Sequence, residues 1–248
     1  MHPDAYHELA QQERTHWWYV GMRGLTTQLL RPYLKQKANP QPLRMLDAGC
    51  GVGGNLSAFA PYGQAWGMDI AALALHYAAS EHPQRLAQAS VESLPYPDAT
   101  FDLVTSFDVL YHNAVVDDLR ALRELRRVVK PDGLLLLRLA ALPALRGSHD
   151  DFVHGARRYT RREVRHKLTQ SAWQPLRLTY ANSLLLPLVF AARYWQKSRA
   201  AQDHSDVGAP HPIANLMLRQ VLRLEQAWLG LGFKFPLGVS LFALARPG

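Results

Sequence analysis

The densest chemical signal in the chain is the run LDAGCGVGG, residues 46–54. Gly49, Gly51, Gly53 and Gly54 make a turn in which the backbone can come close to a ligand, and a helix starting behind it presents free N–H groups. Gly49, Gly51 and Gly54 also satisfy G-x-G-x-x-G, the spacing with which dinucleotide sites receive a pyrophosphate, so the glycines alone leave the ligand open. Asp47 discriminates better. A carboxylate at the end of the preceding strand repels a pyrophosphate lying over the turn and suits a ligand with ammonium and sulfonium charges. Asp69, in GMDI (67–70), ends the next strand, where an acid can accept hydrogen bonds from both hydroxyls of a ribose. Cys50, among the glycines, reads as a small space-filler.

A second cluster, His149, Asp150, His154, Arg157, Arg158 and Tyr159, follows the fifth expected strand. Ligands of open α/β sheets bind at strand carboxyl ends, so this segment is expected to wall a substrate pocket. Histidines bind zinc, but four ligands at a recognisable spacing are absent and no metal is expected. Arg157, Arg158, Arg161, Arg162, Arg165 and Lys167 crowd into eleven residues around one acid, Glu163. They read as a solvated helix start, with an anionic acceptor or phosphate surface as the functional alternative.

The elements that must position these residues alternate short apolar runs with longer helical stretches from about residue 43, the pattern of βαβ units and a mostly parallel sheet. Strands are expected over 43–49, 64–70, 85–90 and 101–110, with helices over 55–60 and 71–81 between them. Leu119, Leu122, Leu125 and Val129 have helical spacing; KPDG (130–133) stops that helix, and LLLLRLAAL is a strand buried on both faces, apolar except for Arg138. Thr160 and Glu163 make a capping box for a helix to about residue 170. Final strands are expected over 173–180 and 239–245, separated by an insertion (182–238) with an apolar helix at 183–197, a polar linker and an amphipathic helix at 213–229. The expected fold is thus a doubly wound, seven-stranded, mostly parallel Rossmann-like sheet with a helical insertion before the last strand. Its parts are an N-terminal helical cap (1–34), the core (35–182), a helical lid (183–238) and the last core strand (239–248).

With 48% hydrophobic and 19% charged residues among 248, the composition is globular. A single cysteine excludes an intramolecular disulfide and a four-thiolate zinc site, and fits a reducing compartment. No secretory signal is read at the N-terminus and no apolar stretch approaches bilayer length, so a cytoplasmic protein is expected. The net charge of +8 invites nucleic acid, anionic lipid or an anionic small molecule without choosing among them. The 183–229 region could serve as a lid or homodimer surface, or rest on a membrane, because apolar residues adjoin Arg193, Lys197 and Arg199.

LDAGCGVGG resembles motif I of the class I S-adenosylmethionine (SAM)-dependent methyltransferases, and GMDI the acidic strand end of their motif II. VESLPYPDATFDLVTSFDVLYH and LRELRRVVKPDGLLLLRL are similar to the family's later motifs, so the likeness runs over about 43–140 in the right order. It implies SAM as cofactor: the turn holds the methionine moiety, Asp69 the ribose, and Ser90, Val91 and Glu92 flank the adenine. Contacts are implied at Asp47, Gly49, Gly51, Gly53, Asp69, Ile70, Ser90, Val91, Glu92 and Phe107. The sequence departs from the pattern at Ser90, where the family often has aspartate, and at Asp132, where it often has glycine.

Glu13, His16, Trp17, Trp18, Gly21, Met22 and Arg23 resemble the N-terminal segment that closes over the cofactor in small-molecule members. Trp18 would wall the site and Arg23 would pair with the SAM carboxylate; the plainer reading is an amphipathic helix burying two tryptophans. The likeness puts the loop at His112 beside the transferable methyl, making His112 the candidate general base, with Tyr111, His149 and His154 in reserve. SFDVLYHN lacks the (D/N)-P-P-(Y/F) element of nucleobase amino-methylating relatives, so no DNA is expected. An oxygen or nitrogen of a small organic or lipid-like acceptor, anionic or amphipathic, is expected instead. A nicotinamide-dependent oxidoreductase would want an apolar residue at Asp47, and a non-catalytic RNA-binding module of the same fold rests on charge alone.

Overall fold

The computed structural model describes residues 3–36, 42–147, 150, 154–191 and 211–248. Seven strands form one sheet in the order β3-β2-β1-β4-β5-β7-β6. They are β1 (Leu43–Ala48), β2 (Gly63–Asp69), β3 (Leu86–Gln88), β4 (Phe101–Phe107), β5 (Val129–Ala140), β6 (Trp173–Ala181) and β7 (Ser240–Pro247). The first five are parallel; β7 inserts antiparallel between β5 and β6. The chain therefore runs outward from β1 to β3, returns to β4, and leaves a crevice above the carboxyl ends of β1 and β4, where such sheets take ligands.

Alternate residues of each central strand enter different cores. Leu46 and Ala48 pack with Ala121, Leu122, Leu125 and Val128 of α5 (Asp118–Val128), while Leu43 and Met45 pack with Met22, Leu25 and Leu29 of α2 (Trp17–Gln36). This double burial explains why the strands read as continuous apolar runs. Asp117 caps α5, its carboxylate accepting the N–H groups of Leu119 and Arg120.

KPDG departs from its expected role. The helix ends at Val128, and residues 130–133 belong to β5 itself. Phe101 pairs with Val129 and Leu103 with Leu134, so β4 advances two residues while β5 advances five, and the extra residues bulge out. A proline without an N–H is tolerated in such a bulge.

The C-terminal part of the insertion is more than a lid. Its helix, α7 (Pro212–Gly230), which follows α6 (Arg161–Gln170), buries Leu222, Glu225 and Leu229 and lies along α2. Gly21 faces Leu222, Gly24 faces Gln226 and Gly230 faces Gln28, so the two helices run in the same direction with the backbone of α2 held close. Glu225 accepts the N–H groups of Asn182 and Leu184 at 2.8 and 2.7 Å, tying α7 to the end of β6. Residues 186–191 are helical; the expected linker and Arg193, Lys197 and Arg199 lie outside the described residues.

Candidate active site

A cleft of about 700 Å³ opens above the carboxyl ends of β1, β2, β4 and β5. Its floor is the glycine turn. The N–H groups of Gly49 and Cys50 both donate to the Met68 carbonyl, which lashes the turn to β2. Gly49 has φ +88°, and a side chain there would strike Val109. Gly51 has φ +54° and faces open space apart from Leu9, as close ligand approach demands. Gly53 lies away from the cleft: at φ +95° it serves the close packing of the α3 start (Gly54–Phe59) on Ala78 of α4 (Ala72–Ala79).

Asp69 stands at the end of β2 with both carboxylate oxygens oriented by backbone, Oδ2 accepting Gly51 N–H and Oδ1 accepting Ala71 N–H, each at 2.9 Å. Each oxygen keeps a lone pair for a further donor. Ile70, Ser90 and Val91 continue this wall. Glu92 does not: its carboxylate accepts Val116 and Asp117 N–H groups and anchors the loop before α5.

Asp47 also stays behind the floor. It is wholly buried, accepting Thr105 Oγ1–H at 2.7 Å and Asn55 Nδ2–H at 3.1 Å, and burial pushes its carboxyl up to about 6 against the pull of those bonds. Asn55 lines the cleft in its place. The acid the sequence marks as a charge contact thus acts through its neighbour.

α1 (Pro3–Gln12) and the start of α2 form the opposite wall, with Trp17, Trp18 and Arg23 all lining the cleft. Arg23 is engaged within the protein: it donates to the Glu13 carbonyl at 2.5 Å and lies 3.9 Å from its carboxylate. Glu13 Oε2 accepts the Gly54 N–H at 3.1 Å, and burial raises its carboxyl to about 7 despite Arg23. α7 holds this wall down: Asn215 Oδ1 accepts the Trp17 N–H at 2.7 Å, and Arg219 donates to the Thr15 carbonyl.

Arg138, from the carboxyl end of β5, donates through Nε and Nη2 to Asp108 Oδ2 at 2.8 and 2.6 Å and lies 4.7 Å from the Trp18 ring centre and 5.1 Å from that of Phe107. It lines the cleft with Phe107 and Asp108, yet no sequence motif points to it. The signal available was a lone cation in an otherwise apolar strand.

The second sequence cluster divides: Asp150 and Arg158 line the cleft, as expected of a pocket wall, while His154, Arg157 and Tyr159 do not. Arg158 and Asp150 form a buried ion pair at 2.8 Å beside the cleft. Arg157, Lys167 and Tyr159 converge on Asp118, so these cations clamp the fold; Arg161, Arg162 and Arg165 are the solvated remainder. His154 is exposed, its ring 5.8 Å from His112, and does not line the cleft; His149 lies outside the described residues.

His112 and Tyr111 do line the cleft. His112 Nδ1 accepts the Ala114 N–H at 3.1 Å. Burial, and after it the neighbouring His154, lower its basicity, so near neutrality the ring is neutral and carries its proton on Nε2. That arrangement makes His112 a donor and opposes the general-base expectation, since the free nitrogen has no lone pair to offer. Burial raises the Tyr111 phenol well above its usual range, leaving it protonated as well. Asn182 Oδ1 lies at the cleft wall, buried and without a hydrogen-bond partner. Among the described residues no group of histidines, cysteines and carboxylates is arranged to hold a metal.

Residues 46–137 match the family model described as a methyltransferase domain. The chain is 38% identical over 101 residues to an uncharacterized methyltransferase, YcgJ, of Bacillus subtilis, covering 38% of this chain and 39% of that protein. It is 32% identical over 152 residues to a malonyl-[acyl-carrier protein] O-methyltransferase of Methylococcus capsulatus, covering 56% and 54%. The chain thus spans less than two thirds of these relatives' length. In fold it is similar to a putative sarcosine dimethylglycine methyltransferase from Galdieria sulphuraria, with a TM-score of 0.58 at 18% identity over 89% of this chain and 84% of the other.

Proposed function

On the premise that residues 46–137 are a methyltransferase domain in a chain resembling the class I SAM-dependent methyltransferases, we propose that this protein moves a methyl group from SAM to an oxygen or nitrogen of a small, amphipathic organic acceptor. The observation carrying this reading is the Asp69 carboxylate, held by the Gly51 and Ala71 amides at the open end of a parallel strand beside a glycine turn. A ribose diol is the ligand group such a carboxylate suits, and the open space above Gly51 suits the chain leading from it.

Bound there, SAM supplies an electrophilic methyl group, and the protein's task is alignment and exclusion of water. Asp69 orients the nucleoside part, and Trp17 and Trp18 shield the opposite side. The buried cations Arg138 and Arg158 are already matched by Asp108 and Asp150, so they organise the cleft without demanding an anionic acceptor. Leu185, Leu188, Val189 and Leu218 give the acceptor an apolar wall. Asn182 Oδ1 is an unused acceptor for a substrate O–H or N–H, while His112 Nε2–H and the Tyr111 hydroxyl donate.

Calorimetric titration with SAM, NADH and a single-stranded RNA tests the reading, SAM alone being expected to bind with a saturable one-to-one isotherm. NADH binding without SAM binding would replace the proposal with an oxidoreductase, and RNA binding alone with a recognition module. Incubation of a small-molecule extract with isotopically labelled SAM then identifies the acceptor.

A further inference from the structure

The layer made of α2 and α7 is charged almost entirely with one sign. Residues 14–46 contain no aspartate or glutamate and residues 211–248 contain one, Glu225, which is fully buried. No aspartate or glutamate side chain of these segments therefore reaches solvent, whereas Arg31, Arg223 and Lys234 do.

The same layer exposes an unusual amount of apolar surface. Along α7, Ile213, Met217, Leu224 and Trp228 recur at helical spacing on the side opposite buried Leu222 and Leu229, and Leu231 extends the stripe. Leu224 is 65% and Leu231 75% exposed. Phe233 and Leu237, in the loop that follows, are also exposed, and Phe233 stacks on Trp228 with ring centres 4.4 Å apart. Arg177 pins that loop by donating to the Leu229 and Phe233 carbonyls, so its apolar residues are presented by a fixed backbone.

We infer that this face is a peripheral membrane contact: the α7 stripe and the 231–237 loop enter the interface of an anionic lipid surface, with Arg223, Lys234 and Arg31 against its headgroups. Aromatic and leucine side chains flanked by cations and free of carboxylates are the composition that interfacial insertion requires, and anionic headgroups favour the cations only at short range. No helix among the described residues is long and apolar enough to cross a membrane, which leaves a contact lying on the surface. Leu218, next to Met217 on α7, lines the cleft, so one helix borders both the cleft and the exposed stripe. The inference goes beyond the methyl-transfer proposal and does not depend on it.

The test is co-flotation of the full chain with vesicles of phosphatidylcholine alone or with 30% phosphatidylglycerol, at about 50 and 500 mM salt. The expected result is flotation with the anionic vesicles at low salt, a loss of at least tenfold at high salt, and little with the neutral vesicles. Leu231→Ser with Phe233→Ser, and separately Arg223→Glu with Lys234→Glu, should each weaken flotation about tenfold while circular dichroism and SAM binding are unchanged. Absence of flotation, equal flotation with neutral vesicles, or flotation indifferent to both double substitutions would overturn the proposal. So would sedimentation showing a dimer that Leu231→Ser with Phe233→Ser dissociates, since a second copy would then be the occupant.

Discussion

The carboxylate of Glu13 crosses forty-one residues of sequence to accept the amide of Gly54, 3.1 Å away, so the N-terminal wall of the cleft is bonded directly to the glycine turn. Burial raises that carboxyl from 4.5 to about 7. Because the folded-state value lies above the unfolded one, the folded protein binds the extra proton between these limits. Its stability falls as pH rises from about 4.5 to 7, and the deficit is complete above that. Glu13→Gln keeps a carbonyl for Gly54 and removes the ionisation. The variant should therefore gain on the wild type with rising pH, by up to about 3 kcal/mol. Thermal melts of both proteins at pH 5 and pH 8 measure this, and a difference independent of pH would show that Glu13 ionises freely.

Asp69→Ala should weaken SAM binding by about 1.5–3 kcal/mol, through loss of charge-assisted acceptance from the ribose and looser positioning of Gly51. Asp47→Asn should weaken it less, because Asp47 reaches the cleft only through Asn55. Calorimetry on variants with wild-type circular dichroism decides the order, and equal affinities for Asp69→Ala and wild type would remove the ribose role.

With its proton on Nε2, His112 should act by donation and shape. His112→Ala is then expected to lower turnover by about tenfold or less, with the shape of the pH–rate profile preserved between pH 6 and 9. A loss of ~10²-fold that shrinks as pH rises would restore the general-base role and require the ring to release Ala114 on substrate binding.

The close approach of α2 and α7 predicts a steric cost at Gly21, where any side chain meets Leu222 inside the core. Gly21→Val should destabilise the protein by about 1–3 kcal/mol, measured by urea unfolding. A stability equal to wild type would mean that α7 can lift from α2, as a detachable lid does.

Much of the fold was legible because its determinants are local. The βαβ order follows from apolar runs alternating with helical periodicity, and Thr160 caps its helix through a side chain three residues from the amide it accepts. The glycine turn was legible too, since positive φ at Gly49 and Gly51 is a local demand that few other residues meet. Tertiary structure alone decided which charged groups reach the cleft. Asp47, read in sequence as a strand-end charge contact, is buried by strands on both sides; Arg138, an anomaly in an apolar strand, is placed beside the cleft by the sheet and matched there by Asp108, thirty residues away. The arginines at 157 and 158 read as solvated because their partners, Asp118 and Asp150, are set by the packing of separate elements. The insertion read as a lid because its buried stripe has no meaning until α2 lies along it. Spacing in sequence encodes which residues share a face, but which face meets which is fixed only when the chain closes on itself.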